Sequence, residues 1–107
     1  RRAMRELRDR RPALDADFAA SDVTAAGARA VLREAGRRVP EDVALVGVDD
    51  SAVARHMDPP LTSVRQPIEE MGRAMARLLL QEIASPSAPD DQPRRMLPTE
   101  LVIRASS

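Results

Sequence analysis

The sequence predicts an α/β fold with a mostly parallel sheet, and two observations lead to this prediction. Segments of helical periodicity alternate along the chain with short apolar segments of strand character, which is the pattern of α/β proteins. One of these segments, 43–48, is a continuous apolar run rich in β-branched valine that suits a central parallel strand covered by helices on both faces. With 107 residues, the chain has room for one small domain.

The first segment, 1–11, predicts an amphipathic helix. Met4 and Leu7 give it a narrow apolar seam, and Pro12 ends it. Six arginines and two acids give the segment a net charge of +4, although the whole chain is neutral with 17 basic and 17 acidic residues. Two interpretations stay open, a basic arm for nucleic acid and a solvated helix face. We favour the second, because neither interleaved aromatic residues nor a reading motif accompanies the arginines.

A strand end and a second helix follow. The small apolar residues within 17–20 suit the end of a buried strand. Ser21 or Asp22 then caps a helix over about 23–35, because a short oxygen side chain accepts hydrogen bonds from the free N–H groups of the first turn. Gly36 is a natural terminator, since glycine readily adopts a left-handed backbone.

The predicted central strand ends in the acidic pair Asp49 and Asp50. Carboxylates at the carboxyl end of a parallel strand can bind a ligand hydroxyl, hold Mg²⁺ or exchange a proton. Because neighbouring strand residues point to opposite faces, we expect one to face a cleft and the other to cap a short helix over 51–57. A purely structural role for both acids is the alternative.

The second half of the chain predicts a strand, a long helix, a loop and a last strand. Residues 61–66 have extended character, and Pro67 opens a helix over 67–84. The polar, proline-rich residues 85–93 predict a loop, and 96–104 predict a strand whose early proline suits an edge position. The apolar stripe of the long helix comprises Ile68, Met71, Met75, Leu78, Leu79 and Ile83.

Composition excludes several kinds of site. Without cysteine, the chain has no disulfide, no thiolate metal ligand and no cysteine nucleophile. Its glycines are isolated, with neither dinucleotide-binding nor P-loop spacing. No apolar run approaches the length of a membrane span, and no signal peptide is visible. We therefore expect a soluble, non-enzymatic protein without metal or cofactor, with an enzyme that uses Asp49 and the single histidine, His56, as an alternative.

Five segments stand in an order and spacing that is specific when they are taken together: FAASD at 18–22, LREAG with VPEDV at 32–43, VGVDD at 46–50, PPLTSVRQP at 59–67 and LPTELVIR at 97–104. This pattern resembles the C-terminal part of LacI/GalR-family bacterial transcriptional regulators. The resemblance implies an incomplete periplasmic-binding-protein-like lobe, Rossmann-like with a mostly parallel sheet. It also implies that the long helix, 67–84, is a crossover helix belonging to the missing lobe.

The resemblance further implies roles for individual residues. Asp49 matches the acidic residue that binds ligand hydroxyls, and Ser21 stands where the family commonly has asparagine, a departure that removes an amide. Gln66, and more weakly Ile68, match the crossover segment that lines the ligand cleft. The candidate dimer contacts are Ala26 and Met57.

The implied protein is a cytoplasmic homodimer that senses a small sugar-like effector. Residues 1–107 form part of its effector-binding domain, and operator DNA is bound only through a domain absent from this chain. The alternative is a periplasmic-type solute-binding protein of a transporter, which shares the fold. Because the other lobe is missing, we expect the long helix to leave its stripe partly exposed or paired with another chain.

Overall fold

The computed structural model describes residues 1–86 and 94–107, which fall into two compact units. The first unit comprises Arg1–Gln66 and Glu100–Ser107, and the second comprises Pro67–Thr99. In chain order the elements are α1 (Arg2–Arg10), β1 (Ala16–Phe18), α2 (Asp22–Glu34), β2 (Ala44–Asp49), α3 (Ala52–His56), β3 (Thr62–Arg65), α4 (Ile68–Ala84) and β4 (Glu100–Val102).

The strands of the first unit form a sheet in the order β1-β2-β3-β4. The first three strands are parallel, and β4 pairs antiparallel with β3 at the edge. The mostly parallel sheet, the central place of the strand predicted over 43–48 and the edge position of the last strand are all confirmed. That last strand is shorter than predicted: of the segment 96–104, Glu100–Val102 is in strand conformation.

The core lies against one face of this sheet. Leu45 and Gly47 of β2 point into it, whereas Val46 and Val48 on the other face are half-buried. Phe18, which pairs with Val46, is 65% exposed. The sequence predicted helices on both faces of the sheet, but within the first unit helices cover one face only. On that face the side chains of the helices, strands and loops form a single buried cluster. That cluster comprises Met4, Ala19, Ala25, Ala28, Val31, Leu32, Val39, Val43, Leu45, Ala54 and Leu61.

The local signals at the ends of α1 and α2 act as predicted. Met4 of α1 is buried in the core and Leu7 packs against it, so the predicted apolar seam is confirmed. Ser21 is the N-cap of α2, and its Oγ accepts a hydrogen bond from the N–H of Thr24 at 3.2 Å. Gly36, with φ of 70°, lies just beyond the end of the helix in the left-handed region.

The last residues of the chain complete the amino end of the sheet. Ser106 is fully buried, and its carbonyl accepts a hydrogen bond from the N–H of Leu45 at 2.7 Å. Its Oγ accepts from the N–H of Thr62 at 2.8 Å and donates to the carbonyl of Leu45. Ser106 thereby satisfies backbone groups of β2 and β3 that would otherwise be buried without partners.

The second unit contains the long helix α4. Ile68 and Met75 of its apolar stripe are 59% and 63% exposed, while Met71 and Leu78 are half-buried. The stripe is thus partly exposed, as expected. Most of the predicted loop, 87–93, lies outside the described residues. Over the two described ranges, the helices are too short or too polar to cross a bilayer.

We predict that Gly47→Ala destabilises the first unit by about 1–3 kcal/mol, because its Cβ overpacks the core. That atom would stand 2.6 Å from Oδ1 of Asp22 and 2.7 Å from Cδ2 of Leu61. Gly72→Ala is the matched control, since its Cβ would meet no atom within 4 Å. It removes a helical glycine and is expected to stabilise the protein by about 0.5–1 kcal/mol.

Urea unfolding followed by circular dichroism measures both variants. Equal unfolding midpoints for Gly47→Ala and the unchanged protein would contradict the tight packing of β2 against the start of α2.

Candidate functional site

The ends of β1 and β2 are joined through one buried carboxylate. Asp22, the first residue of α2, is fully buried. It accepts hydrogen bonds from the N–H of Ser51 at 2.7 Å and from the hydroxyl of Ser63 at 2.6 Å. Because the carboxyl ends of parallel strands share one edge of a sheet, Asp22 holds the segments that follow β1 and β2 beside β3.

Two of the predicted ligand residues meet at this edge. The carboxylate of Asp49 is exposed, and its Oδ1 accepts a hydrogen bond from Nε2 of Gln66 at 2.8 Å. The contact follows from the strand register, which pairs Asp49 with Arg65, the residue before Gln66. The structure therefore places an exposed carboxylate and an amide side by side at the strand ends.

Asp50 does not cap α3, and this part of the prediction is wrong. The N-cap is Ser51, whose own side chain makes no capping bond. The side chain of Asp50 is 2% exposed and forms ion pairs with Arg65, from Nε to Oδ2 at 2.7 Å, and with Nη2 of Arg104. A buried carboxylate with two charged donors is held far more strongly than a cap at the surface.

Sequence reasoning missed Arg65 and Arg104. The only available signal was the placement of each arginine within an apolar, strand-like segment, where an unpaired charge is costly. Their distance from Asp50 along the chain, 15 and 54 residues, hid the partner.

The environment of Asp50 favours its ionised form. Burial raises the pKa of Asp50, but the hydrogen bonds and charges of Arg65 and Arg104 outweigh that effect and leave the pKa below its ordinary value of 3.8. The backbone around it is strained, with φ of 110° at Asp49 and 53° at Asp50. Such conformations cost about 1–3 kcal/mol each and persist where neighbouring contacts fix them.

The remaining predicted ligand residues are placed differently. The hydroxyl of Ser21 is engaged in capping α2 and also lies 2.9 Å from the hydroxyl of Thr24. Ile68 is the first residue of α4 in the second unit and is largely exposed.

His56 is exposed, and its Nδ1 lies 2.8 Å from the carbonyl oxygen of Ala52. Within the part of the chain that the structure describes, no group of three or more acidic or histidine side chains is placed to hold a metal ion.

The two candidate dimer contacts lie together. Ala26 of α2 and Met57, which follows α3, are both half-buried. They line the same shallow cavity of about 220 Å³, and its other lining residues are Arg29, Ala30, Arg33 and Asp58.

The whole chain, residues 1–107, matches the family described as periplasmic binding protein-like domain. It is 57% identical to the HTH-type transcriptional regulator CelR of Thermobifida fusca, over 97% of this chain and 30% of that protein. It is 36% identical to the HTH-type transcriptional repressor CytR of Escherichia coli K12, over 99% of this chain and 30% of that protein.

Solved structures of transcriptional regulators are also similar to this chain. A complex of the regulator CelR with cellobiose superimposes with a TM-score of 0.90 at 56% identity, covering 99% of this chain and 32% of that one. A LacI family regulator from Arthrobacter in complex with lactose gives 0.84 at 33% identity, covering 99% and 40%. The chain thus spans about a third of the length of these relatives.

We predict that the stabilising effect of Asp50 decreases in acid. A carboxyl whose pKa is lower in the folded than in the unfolded chain stabilises fully above its unfolded value, and this stabilisation is lost as the pH falls through the folded value. The difference in unfolding free energy between the unchanged protein and Asp50→Asn should therefore be large at pH 7 and shrink below about pH 4.

Urea titrations at pH 7, 5 and 3 measure this difference. A gap between the two proteins that stays constant over the whole range would show that the ion pairs do not lower the pKa of Asp50.

Proposed function

This chain belongs to the family of periplasmic binding protein-like domains, and from that premise we propose that it is the ligand-sensing portion of a LacI-type transcriptional regulator. The resemblance to LacI/GalR-family regulators is confirmed, because the relatives above are regulators of this type. In the proposal, a small sugar-like effector binds this portion and controls operator binding by the full-length dimer.

The observation that carries the proposal is the exposed pair formed by Asp49 and Gln66. A sugar hydroxyl both donates and accepts hydrogen bonds. The carboxylate accepts from one hydroxyl, while the amide beside it donates to one and accepts from another. Such a pair suits neighbouring hydroxyls on one ring. Ser21 and Ile68 are proposed as further ligand contacts, the first through its hydroxyl and the second as an apolar surface.

The relatives support the regulator over the alternatives. Those described above are HTH-type regulators, and two solved neighbours carry cellobiose and lactose. The solute-binding protein of a transporter would share the fold, but the relatives described above are transcriptional regulators. We propose a cytoplasmic, non-enzymatic homodimer that binds operator DNA through a domain other than this chain. Residues 1–107 are proposed as part of its effector-binding domain, with 67–84 as the crossover helix.

We predict that the complete gene product, meaning this chain with whatever its gene encodes beside it, binds cellobiose or lactose. Isothermal titration calorimetry measures the affinity. Asp49→Asn should raise Kd about 10–100-fold, because it removes charge-assisted hydrogen bonds worth about 1.5–3 kcal/mol. Asp42→Asn is the matched control, since its ion pair with Arg38 precedes β2 at the other end of the sheet, and it should bind with unchanged affinity.

Release of operator DNA on addition of the bound sugar, followed by fluorescence anisotropy, tests the regulatory part of the proposal. A protein that binds neither cellobiose nor lactose, nor ribose as a third probe, would contradict the assigned ligand class. An export signal encoded upstream, in place of a helix-turn-helix, would overturn the regulator in favour of the transporter protein.

We predict that Ala26→Arg weakens the dimer at least about tenfold. The substitution adds bulk and a third positive charge beside Arg29 and Arg33, which line the same cavity, and like charges at an interface repel. Ala76→Arg on an exposed position of α4 is the control for an added surface arginine. Sedimentation velocity of the complete gene product over a concentration series measures both. A dimer that survives Ala26→Arg unchanged places the interface elsewhere.

A further inference from the structure

Asp50 has every polar group engaged, although it adjoins an exposed site. Its two carboxylate oxygens accept from Arg65 and Arg104. Its N–H donates to Oγ of Ser63 at 3.0 Å, and its carbonyl accepts from Nη1 of Arg55 at 3.2 Å. Four contacts from three different segments therefore restrain one residue.

These restraints act on a backbone that is not at its local minimum. Both Asp49 and Asp50 have positive φ values, a region in which residues other than glycine are held by their surroundings. If Asp50 were free, the chain could relax to a negative φ and rotate the preceding carboxylate away from its present direction.

The pairs stand in two rows. The buried Asp50 and the half-exposed Arg65 form an inner row. Their chain neighbours Asp49 and Gln66 form an exposed row linked by the 2.8 Å hydrogen bond. The second guanidinium, from Arg104, binds the other oxygen of Asp50 and stops its carboxylate from turning. A rotation of Asp50 or Arg65 in the inner row would therefore displace both members of the exposed row together.

We propose that Asp50 is a positioning residue of the ligand site: its ion pairs with Arg65 and Arg104 hold the Asp49–Gln66 pair in the geometry that receives ligand hydroxyls. The inference rests on the proposed function, which supplies the ligand. It assigns no ligand contact to Asp50, whose side chain is buried. Its effect on binding must therefore pass through the exposed pair, in which Asp49 carries the charge.

A double-mutant cycle tests this route. Asp50→Asn is nearly isosteric, and asparagine tolerates positive φ, so the change removes the charge with little change of shape. With cellobiose or lactose as the probe, whichever the unchanged protein binds, Asp50→Asn should raise Kd about tenfold. In the Asp49→Asn background the same substitution should change Kd less than about threefold, because the group that it positions is already lost.

All titrations are run on the complete gene product at a temperature where circular dichroism shows each variant fully folded. A merely structural role would lower the unfolding midpoint and leave Kd unchanged, or would change Kd equally in both backgrounds. Either result overturns the inference. Asp42→Asn is the matched control, because it also breaks an acid–arginine pair but lies at the amino end of β2.

If Asp50→Asn does not fold, Arg65→Gln replaces it. Arg65 is about half exposed, so its loss disturbs the core less, and the same expectation applies: a higher Kd alone and little further change in the Asp49→Asn background. A failure of the unchanged protein to bind any probe contradicts the proposed function. Normal binding by the unchanged protein with an unaltered Kd in these variants contradicts this inference alone.

Discussion

The carboxylate of Asp22 lies where the connection between β1 and α2, the central strand β2 and the third strand β3 come together. Transfer of such a group out of water costs several kcal/mol unless its hydrogen bonds are replaced. Here the N–H of Ser51 and the hydroxyl of Ser63 replace them. Its closeness to Gly47 also requires a residue without a side chain on β2. One buried group thus dictates the start of α2, the approach to α3 and the spacing of β2 and β3.

A second buried carboxylate organises the next layer outward. Asp22 fixes where the strand ends lie, and Asp50 fixes how the chain leaves β2. The two are linked, since Ser63 contacts both: its hydroxyl donates to Asp22 and accepts from the N–H of Asp50. Because Asp49 adjoins Asp50 in the chain, it is linked to the core through these two buried hydrogen bonds. Because buried groups fix the backbone beside Asp49, the exposed site needs few stabilising contacts of its own at the surface.

Much of the fold could be predicted from sequence because its determinants are local. The cap at Ser21, the left-handed Gly36 and the apolar run of β2 each act within a few residues, and the structure confirms all three. The partners of Asp50 and the role of Ser106 could not be predicted. They depend on contacts between residues that are 15 to 61 positions apart in the chain. Such a contact produces no periodic pattern in the sequence from which it could be predicted. Of the exposed pair, Asp49 could be predicted from its place at the end of a parallel strand, whereas Gln66 was predicted only through the family resemblance.

Asp49 and Asp50 have the same side chain and adjacent positions, yet one is exposed and the other is buried. The exposed acid must stay open to solvent, so it cannot fix its own direction by packing. A buried ion pair is a poor source of stability, because desolvation offsets much of its attraction. An apolar side chain could fill the same volume at similar stability only if the two arginines were replaced as well. It could not fix a rotation, because dispersion contacts have little direction, whereas two oxygens each bound by a guanidinium have one orientation. Orientation, rather than stability, therefore explains why a charge is buried at this point.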